Sequence, residues 1–402
     1  MQYLRLPVVN SQHPFQQVSR SATRATTVVA FLIVLALMLG ACGRDDSSDD
    51  ASESSTTVGG QTTLTTAPPG EPVVTPTTTV REDGLSGTAD PSAATADVDA
   101  QTDSGVGGKG SGSGTLTGGP ANGLPAVMIK VPNDSSARHV LTGIEDADII
   151  FEELVEGGVT RFAAVFNSTL PDQVQPVRSV RGPDPDLALS VGGVFAYSGG
   201  AGPFVERINS VPVVAVNEST AGSSLYRVAG KAPYNLAASA KALAALSDEP
   251  ARAPFRFSNA ALAGGQAATN VSVKVSNAQT SNFKYDAGSG VYKRYNGSAP
   301  EVSGGVQLGF ENVVVIGVAT GGTGVIDTAG SESPQSFTVG SGTAWLFRDG
   351  KVYVGKWSRA HETAPWEIIA DDGSAYTLAP GRTNVVLLPV AGTYAGGKIG
   401  WN

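Results

Sequence analysis

Hydrophobic and polar positions divide the 402-residue chain into three stretches of different texture. Residues 28–39 are apolar without a charge. Residues 43–120 hold no periodic apolar pattern and no Phe, Trp or Tyr. From residue 126 onward short apolar runs return. Residues 126–131 (Ala-Val-Met-Ile-Lys-Val) predict a strand. Residues 148–156 and 159–166 predict two more, joined at Gly157-Gly158 as a hairpin. A two-residue turn there places Glu156 opposite Val159, Val155 opposite Thr160 and Leu154 opposite Arg161. Arg161 then lies diagonal to both Glu152 and Glu156. Asp184-Pro185 predicts a helix start, with Asp184 as cap and Pro185 at the first helical position. Residues 194–198 predict a strand ending at Gly199-Gly200. Residues 204–209 and 239–246 predict short helices.

The pattern changes again after residue 270. Residues 345–354 alternate around Asp349-Gly350, the signal of a type I′ hairpin. Asp372-Gly373 suggests another turn. Residues 312–319 and 385–388 are β-branched runs of the kind that fill buried strands. The predicted class is therefore α+β: an N-terminal α/β domain with a mixed sheet (121–258), then a β-rich C-terminal domain (270–402), both after a linker.

The apolar block at 28–39 is too short to span a bilayer. Twelve residues of helix cover roughly 18 Å, against about 30 Å of hydrocarbon. Arg20 and Arg24 precede the block, and Leu39-Gly40-Ala41-Cys42 closes it. Charge, length and the small-small-Cys ending resemble a bacterial lipoprotein signal. Residues 1–41 are then the signal peptide and Cys42 the lipidated first residue of the mature chain, anchored in the membrane through a diacylglyceryl group. Residues 42–120 read as a disordered acidic linker of Thr, Ser and Gly, unable to bury enough apolar surface to offset chain entropy. Its r.m.s. span is about 50 Å.

Charge is uneven. The linker carries 12 acidic and 3 basic residues, whereas the body from Ala121 onward carries 24 and 21. A body so near neutrality gives no basic patch for nucleic acid. Cys42 is the only cysteine, so disulfides and Cys-pair zinc sites are excluded. His139 and His361 are the only histidines past the signal segment, and neither a metal site nor a cofactor is expected. Ser281-Asn282-Phe283-Lys284 matches S-x-x-K but sits in a strand-like run without a companion motif.

Several runs carry a resemblance. Residues 147–152 (Ala-Asp-Ile-Ile-Phe-Glu), 155–162 (Val-Glu-Gly-Gly-Val-Thr-Arg-Phe) and 175–181 (Gln-Pro-Val-Arg-Ser-Val-Arg) resemble the YerB-type lipoprotein family, DUF3048. Ser198-Gly199-Gly200 and residues 232–236 follow in the family's order. Residues 292–295, 355–359 and 378–383 are similar to its second domain. Tyr197 and Tyr234 stand where the family often has histidines. The resemblance implies the two-domain layout and a lipoprotein location, and no established activity.

Arg161, Arg178 and Arg181 are the most informative charges. Converging near Ser198, Gly199, Gly200 and Asn235, they could bind a carboxylate or phosphate. Alternatively they form a buried ion network, Arg161 with Glu152 and Glu156, the others with Asp184 or Asp186. Glu152 and Glu156 could also serve acid–base chemistry, though four strand positions separate them by about 13 Å. Trp345, Trp357 and Trp366 are expected in the core. These readings point to an extracytoplasmic, membrane-anchored binding or assembly module with an anionic wall ligand or an envelope protein as partner, or else to an envelope hydrolase or transferase using Glu156 or Glu152. Residues 1–41 exceed the usual signal length, so translation is expected to start near Val18. Mass spectrometry of the uncleaved precursor checks this, and a peptide from residues 1–17 would refute it.

Overall fold

The computed structural model describes residues 115–402. The signal segment, Cys42 and most of the expected linker lie outside the described residues, which all belong to one unit, Ala96–Asn402. Within the stretch that composition assigns to the linker, Leu116 and Thr117 are buried in the folded body. No helix among the described residues is long and apolar enough to cross a membrane.

Strands β1 (Val127–Pro132), β2 (Ile149–Leu154) and β3 (Thr160–Phe166) form the middle of a 12-stranded mixed sheet. Both faces of β1 and β2 are buried, which is why they read as near-continuous apolar runs rather than alternating ones. β3 pairs antiparallel with both β1 and β2. β4 (Val194–Ala196) and β5 (Val214–Val216) extend the sheet parallel to β1.

On the other side of β2 lies the strand Thr383–Gly392, parallel to β2 and to Asn312–Ile326. Gly340–Arg348, Lys351–Arg359 and Glu367–Ile369 complete that wing. One sheet thus carries strands from both stretches of the sequence. The coarse expectation of mixed sheet with helices is met, but strands predominate. The helices are α1 (Asp184–Val191), α2 (Gly202–Ser210) and α3 (Ala240–Ala244). α1 and α2 cover one face, packing Leu187, Val191, Phe204 and Ile208 with Met128, Phe151 and Val165. α3 covers the other, with Leu243 beside Ile129 and Phe162. A second sheet of six strands holds Asn270–Lys274, Thr280–Asp286, Val291–Asn296 and Lys398–Trp401.

Local chemistry explains several boundaries. Asp349 (φ 55°) and Gly350 (φ 72°) form the expected I′ turn, which needs positive φ at both positions. Ser239 caps α3 by accepting the Ala242 N–H at 3.1 Å. Asp184 is the first residue of α1 rather than its cap. Its carboxylate instead accepts the Arg181 N–H at 2.6 Å and the Lys130 ammonium at 2.8 Å. Trp357 and Trp366 are buried, as expected of core residues.

The expected hairpin register is corrected by one residue. Leu154 pairs with Thr160, Glu153 with Arg161 and Glu152 with Phe162. The turn holds Val155–Val159, closed by a Val155 N–H to Val159 C=O bond of 2.9 Å, not two residues alone. Because side chains alternate, one step moves Arg161 to the other face. It stands beside Glu153 and not beside Glu152.

Glu152 enters a buried network between the two sheets. Arg294, fully buried, donates to Glu152 Oε2 at 3.0 Å, Ser281 Oγ at 2.9 Å and Asn384 Oδ1 at 2.8 Å. Ser281 and Thr160 also donate to Glu152. Removing one partner of such a pair leaves an uncompensated buried charge. Arg294→Ala is expected to lower stability by about 3–5 kcal/mol. Urea unfolding checks the value, and loss of a single cooperative transition would show that the network couples the two sheets.

Candidate functional site

β1 and β4 run parallel from Val127↔Val194 to Ile129↔Ala196 and then separate. The segment Val177–Val180 fills the gap. Arg178 N–H donates to Lys130 C=O at 2.8 Å, Ser198 N–H to Arg178 C=O at 2.8 Å, and Val180 N–H to Gly199 C=O at 3.1 Å. The three arginines therefore meet where parallel strands end and α2 begins, the place where open α/β sheets leave a crevice for ligands. Gly200 (φ 152°) fits because a Cβ there would stand 2.6 Å from Val180 Cγ1.

The arginines differ in their partners. Arg181 is ion-paired with Glu156, Nε to Oε1 at 2.6 Å. Arg161 donates Nη1 to Ser179 C=O at 3.1 Å. Arg178 donates to Pro233 C=O at 3.2 Å, and its guanidinium lies 4.4 Å from the Tyr234 ring centroid. Neither Arg161 nor Arg178 has a carboxylate within ion-pair distance among the described residues. The expected pairing of Arg161 with Glu152 and Glu156 is thus replaced by Arg181 with Glu156, and Asp186 pairs with Arg207. Burial first, then the Arg181 and Arg178 charges, push Arg161 down to about 10, although Glu156 and Glu153 oppose this.

The remaining expected residues divide clearly. Ser198, Gly199 and Gly200 border the arginine segment. Asn235 is committed to its own loop, accepting from Arg227 and donating to Val228 and Gly230 carbonyls. Glu156 also accepts from Ser333. Burial acts to raise its pKa, but Ser333 and Arg181 together hold it below the usual carboxylate range. Glu152 is enclosed by its donors. Ser281 is spent on Glu152, while Lys284 lies on the exposed side of the same strand, so the S-x-x-K spacing brings no pair together.

Two roles escaped the sequence reading. Lys130, fully buried, pairs with both Glu153 and Asp184; its signal was a lone charge inside an apolar strand. Tyr234 forms the aromatic support of Arg178.

Comparison with known proteins identifies the family. The N-terminal domain described as "Protein of unknown function (DUF3048)" matches residues 113–252, and the C-terminal domain of the same description matches residues 271–385. The chain belongs to the DUF3048 family. A curated relative, "Putative lipoprotein YerB" of Bacillus subtilis (strain 168), is 24% identical over 276 residues, covering 65% of this chain and 81% of that protein. The crystal structure of YerB from Bacillus subtilis matches with a TM-score of 0.60 at 21% identity, over 71% of this chain and 99% of that one. The DUF3048 N-terminal match contains all three arginines, Glu153 and Gly199-Gly200.

Glu153 gives a test of the cluster's electrostatics. Burial, and next the charge of Asp184, raise its pKa to about 7, against the opposing pull of Lys130 and Arg161. Between its ordinary value of 4.5 and about 7 the unfolded chain has lost a proton that the folded chain keeps, so stability falls as pH rises through this window. Glu153→Gln is expected to flatten the decline. Denaturant midpoints from pH 4 to pH 8 check this, and an unchanged slope in the variant would contradict it.

Proposed function

We propose that this chain is a lipid-anchored extracytoplasmic binding module of the cell envelope, whose first domain takes a carboxylate or phosphate group at Arg161, Arg178 and Arg181. The anchor reading rests on Leu39-Gly40-Ala41-Cys42 behind the apolar block and on the lipoprotein name of the YerB relative. The tether of residues 42–120 and the two-domain division of the body complete this reading, and its partner is an anionic wall component or an envelope protein.

One observation carries the ligand assignment. Arg161 and Arg178 stand together without an ion-paired carboxylate, and burial, then the Arg181 and Arg178 charges, depress Arg161 against the pull of Glu156 and Glu153. Clustering like charges in a half-buried crevice is unfavourable in an empty site and favourable once an oxyanion arrives, because planar guanidiniums bind carboxylate or phosphate through paired hydrogen bonds. Tyr234 holds Arg178 by stacking while leaving donors uncommitted. The first N–H groups of α2, next to Gly199-Gly200, point to the same preference for negative charge. The hydrolase alternative has less support, since Glu156 is tied to Arg181 and Ser333 and Glu152 is saturated by donors.

The arginines should separate by role. Arg178→Ala and Arg161→Ala are expected to keep the fold, with stability changes within about 1 kcal/mol. They should abolish the rise in melting temperature that inorganic phosphate or succinate gives the native chain. Arg181→Ala should cost about 3 kcal/mol by leaving Glu156 unpaired. Thermal shifts at fixed ionic strength check both. Native protein indifferent to phosphate and succinate would refute the anion site.

A further inference from the structure

The outer face of the six-stranded sheet presents a second site, remote in sequence from the arginines. Its register sets three rows across neighbouring strands. One row holds Lys293, Lys284 and Asn270, with Asn402 bonded to Asn270 through the backbone. The next holds Tyr295, Asn282, Ser272 and Gly400. The third holds Thr280, Lys274 and Lys398. Side-chain alternation puts all of them on one face, opposite Val271, Val273, Phe283 and Tyr292, which are buried. An open groove of about 490 Å³ runs over this face, bordered by Asn270, Ser272, Asn282, Lys284, Tyr295 and Asn402.

Two features mark the face as built for a ligand. Lys284 stands directly opposite Lys293, and Lys274 directly opposite Lys398. Like charges in cross-strand pairs destabilise a sheet, yet this sheet carries two such pairs. None of the four lysines makes an ion pair among the described residues. Asp286, the nearby acid, accepts from Ser289 and the Gly288 N–H and feels the charge of Lys293 without forming an ion pair with it. The second feature is the floor between the lysine pairs. It consists of amides, a serine hydroxyl and Tyr295, whose ring centroid lies 4.9 Å from the Lys284 ammonium.

We propose that this groove binds a linear anionic polysaccharide. Lys284 borders the groove itself, and the two lysine pairs are offset by four positions, about 13 Å, along the strands and by two strand spacings, roughly 9.5 Å, across them, so a ligand that meets both pairs must carry repeated negative charge along its length. Ser272, Asn402 and the amide oxygens of Asn270 and Asn282, whose Nδ2 groups donate to Thr269 and to the Gly297 C=O, offer partners that suit sugar hydroxyls. Tyr295 offers a flat ring for a sugar face. The rows contain no aliphatic side chain, and a protein partner would need apolar anchors there. Gly400 leaves the floor low where the polymer crosses the last strand.

Calorimetric titration of the full-length chain in a zwitterionic detergent, with three octamers, tests the assignment. Octagalacturonate is expected to bind, with an affinity that falls as salt is added. Maltooctaose, its neutral counterpart, should bind at least tenfold more weakly, and octaglutamate likewise. K284E/K398E should weaken octagalacturonate at least tenfold, and Tyr295→Ala about fivefold. The melting temperature of K284E/K398E should stay level or rise, because each like-charged pair becomes an opposite-charged one. R161A/R178A should leave octagalacturonate binding intact, which separates this groove from the arginine site. Failure of octagalacturonate to bind, equal binding of maltooctaose or octaglutamate, or unchanged affinity in K284E/K398E would overturn the proposal.

Discussion

Everything in this fold hangs on how the chain accommodates Arg294 where water cannot reach. Its guanidinium sits between the two sheets, with Glu152 as counter-ion and Ser281 and Asn384 as further acceptors. The rings of Phe162 and Phe283 lie 4.9 and 5.3 Å from it. Glu152 comes from β2, Asn384 from the strand parallel to β2, and Ser281 and Arg294 from the second sheet. Pairing and hydrogen bonding of this kind offset the cost of burying a charge, although Nε of Arg294 itself finds no hydrogen-bond partner. This pairing fixes the second sheet against the first more strictly than apolar packing could, because greasy contacts can slide and a multidentate guanidinium cannot.

A second buried cluster does the same work locally. Lys130 enters the core at the end of β1 and is matched by Glu153 from β2 and Asp184 from α1. Burial, and next the Asp184 carboxylate that shares the same ammonium, push Glu153 up towards neutrality. Asp184 also receives the Arg181 N–H. The segment bearing Arg178, Ser179 and Arg181 is therefore held at both ends, by the Lys130 carbonyl and by the Asp184 carboxylate. The half-buried arginines inherit their placement from charges that never meet solvent.

Much of the local structure was legible in the residues. The I′ turn at Asp349-Gly350, the Ser239 cap and the β-branched strand at 312–319 rest on short-range chemistry that a sequence displays directly. The hairpin around Gly157-Gly158 was legible as a hairpin but not in register, since three central residues and two glycines at positive φ extend a turn that composition alone makes look like two. What stayed hidden was long-range. Nothing near residue 383 reveals that the last long strand returns to lie beside β2, because parallel partners are chosen by the whole sheet. The same holds for the arginines. Their convergence was legible from Arg161, Arg178 and Arg181, but their counter-ions were not: a one-residue shift exchanged Glu152 for Glu153, and Ser333, from beyond residue 270, completed the environment of Glu156.

The two charged surfaces of this protein illustrate one physical rule from opposite directions. Inside, Lys130, Glu152 and Arg294 each meet an opposite charge at short range. At the crevice Arg161 and Arg178, and on the outer sheet Lys284, Lys293, Lys274 and Lys398, are set beside like charges without an ion pair of their own among the described residues. Packing does not demand this arrangement. An exposed lysine opposite another lysine contributes nothing to the sheet that a glutamate would not improve, and an arginine beside two arginines raises the cost of its own charge. Stability alone would have neutralised both places. A site that carries such an unfavourable term regains it when an opposite charge binds, which is the physical basis for proposing anionic ligands at both places.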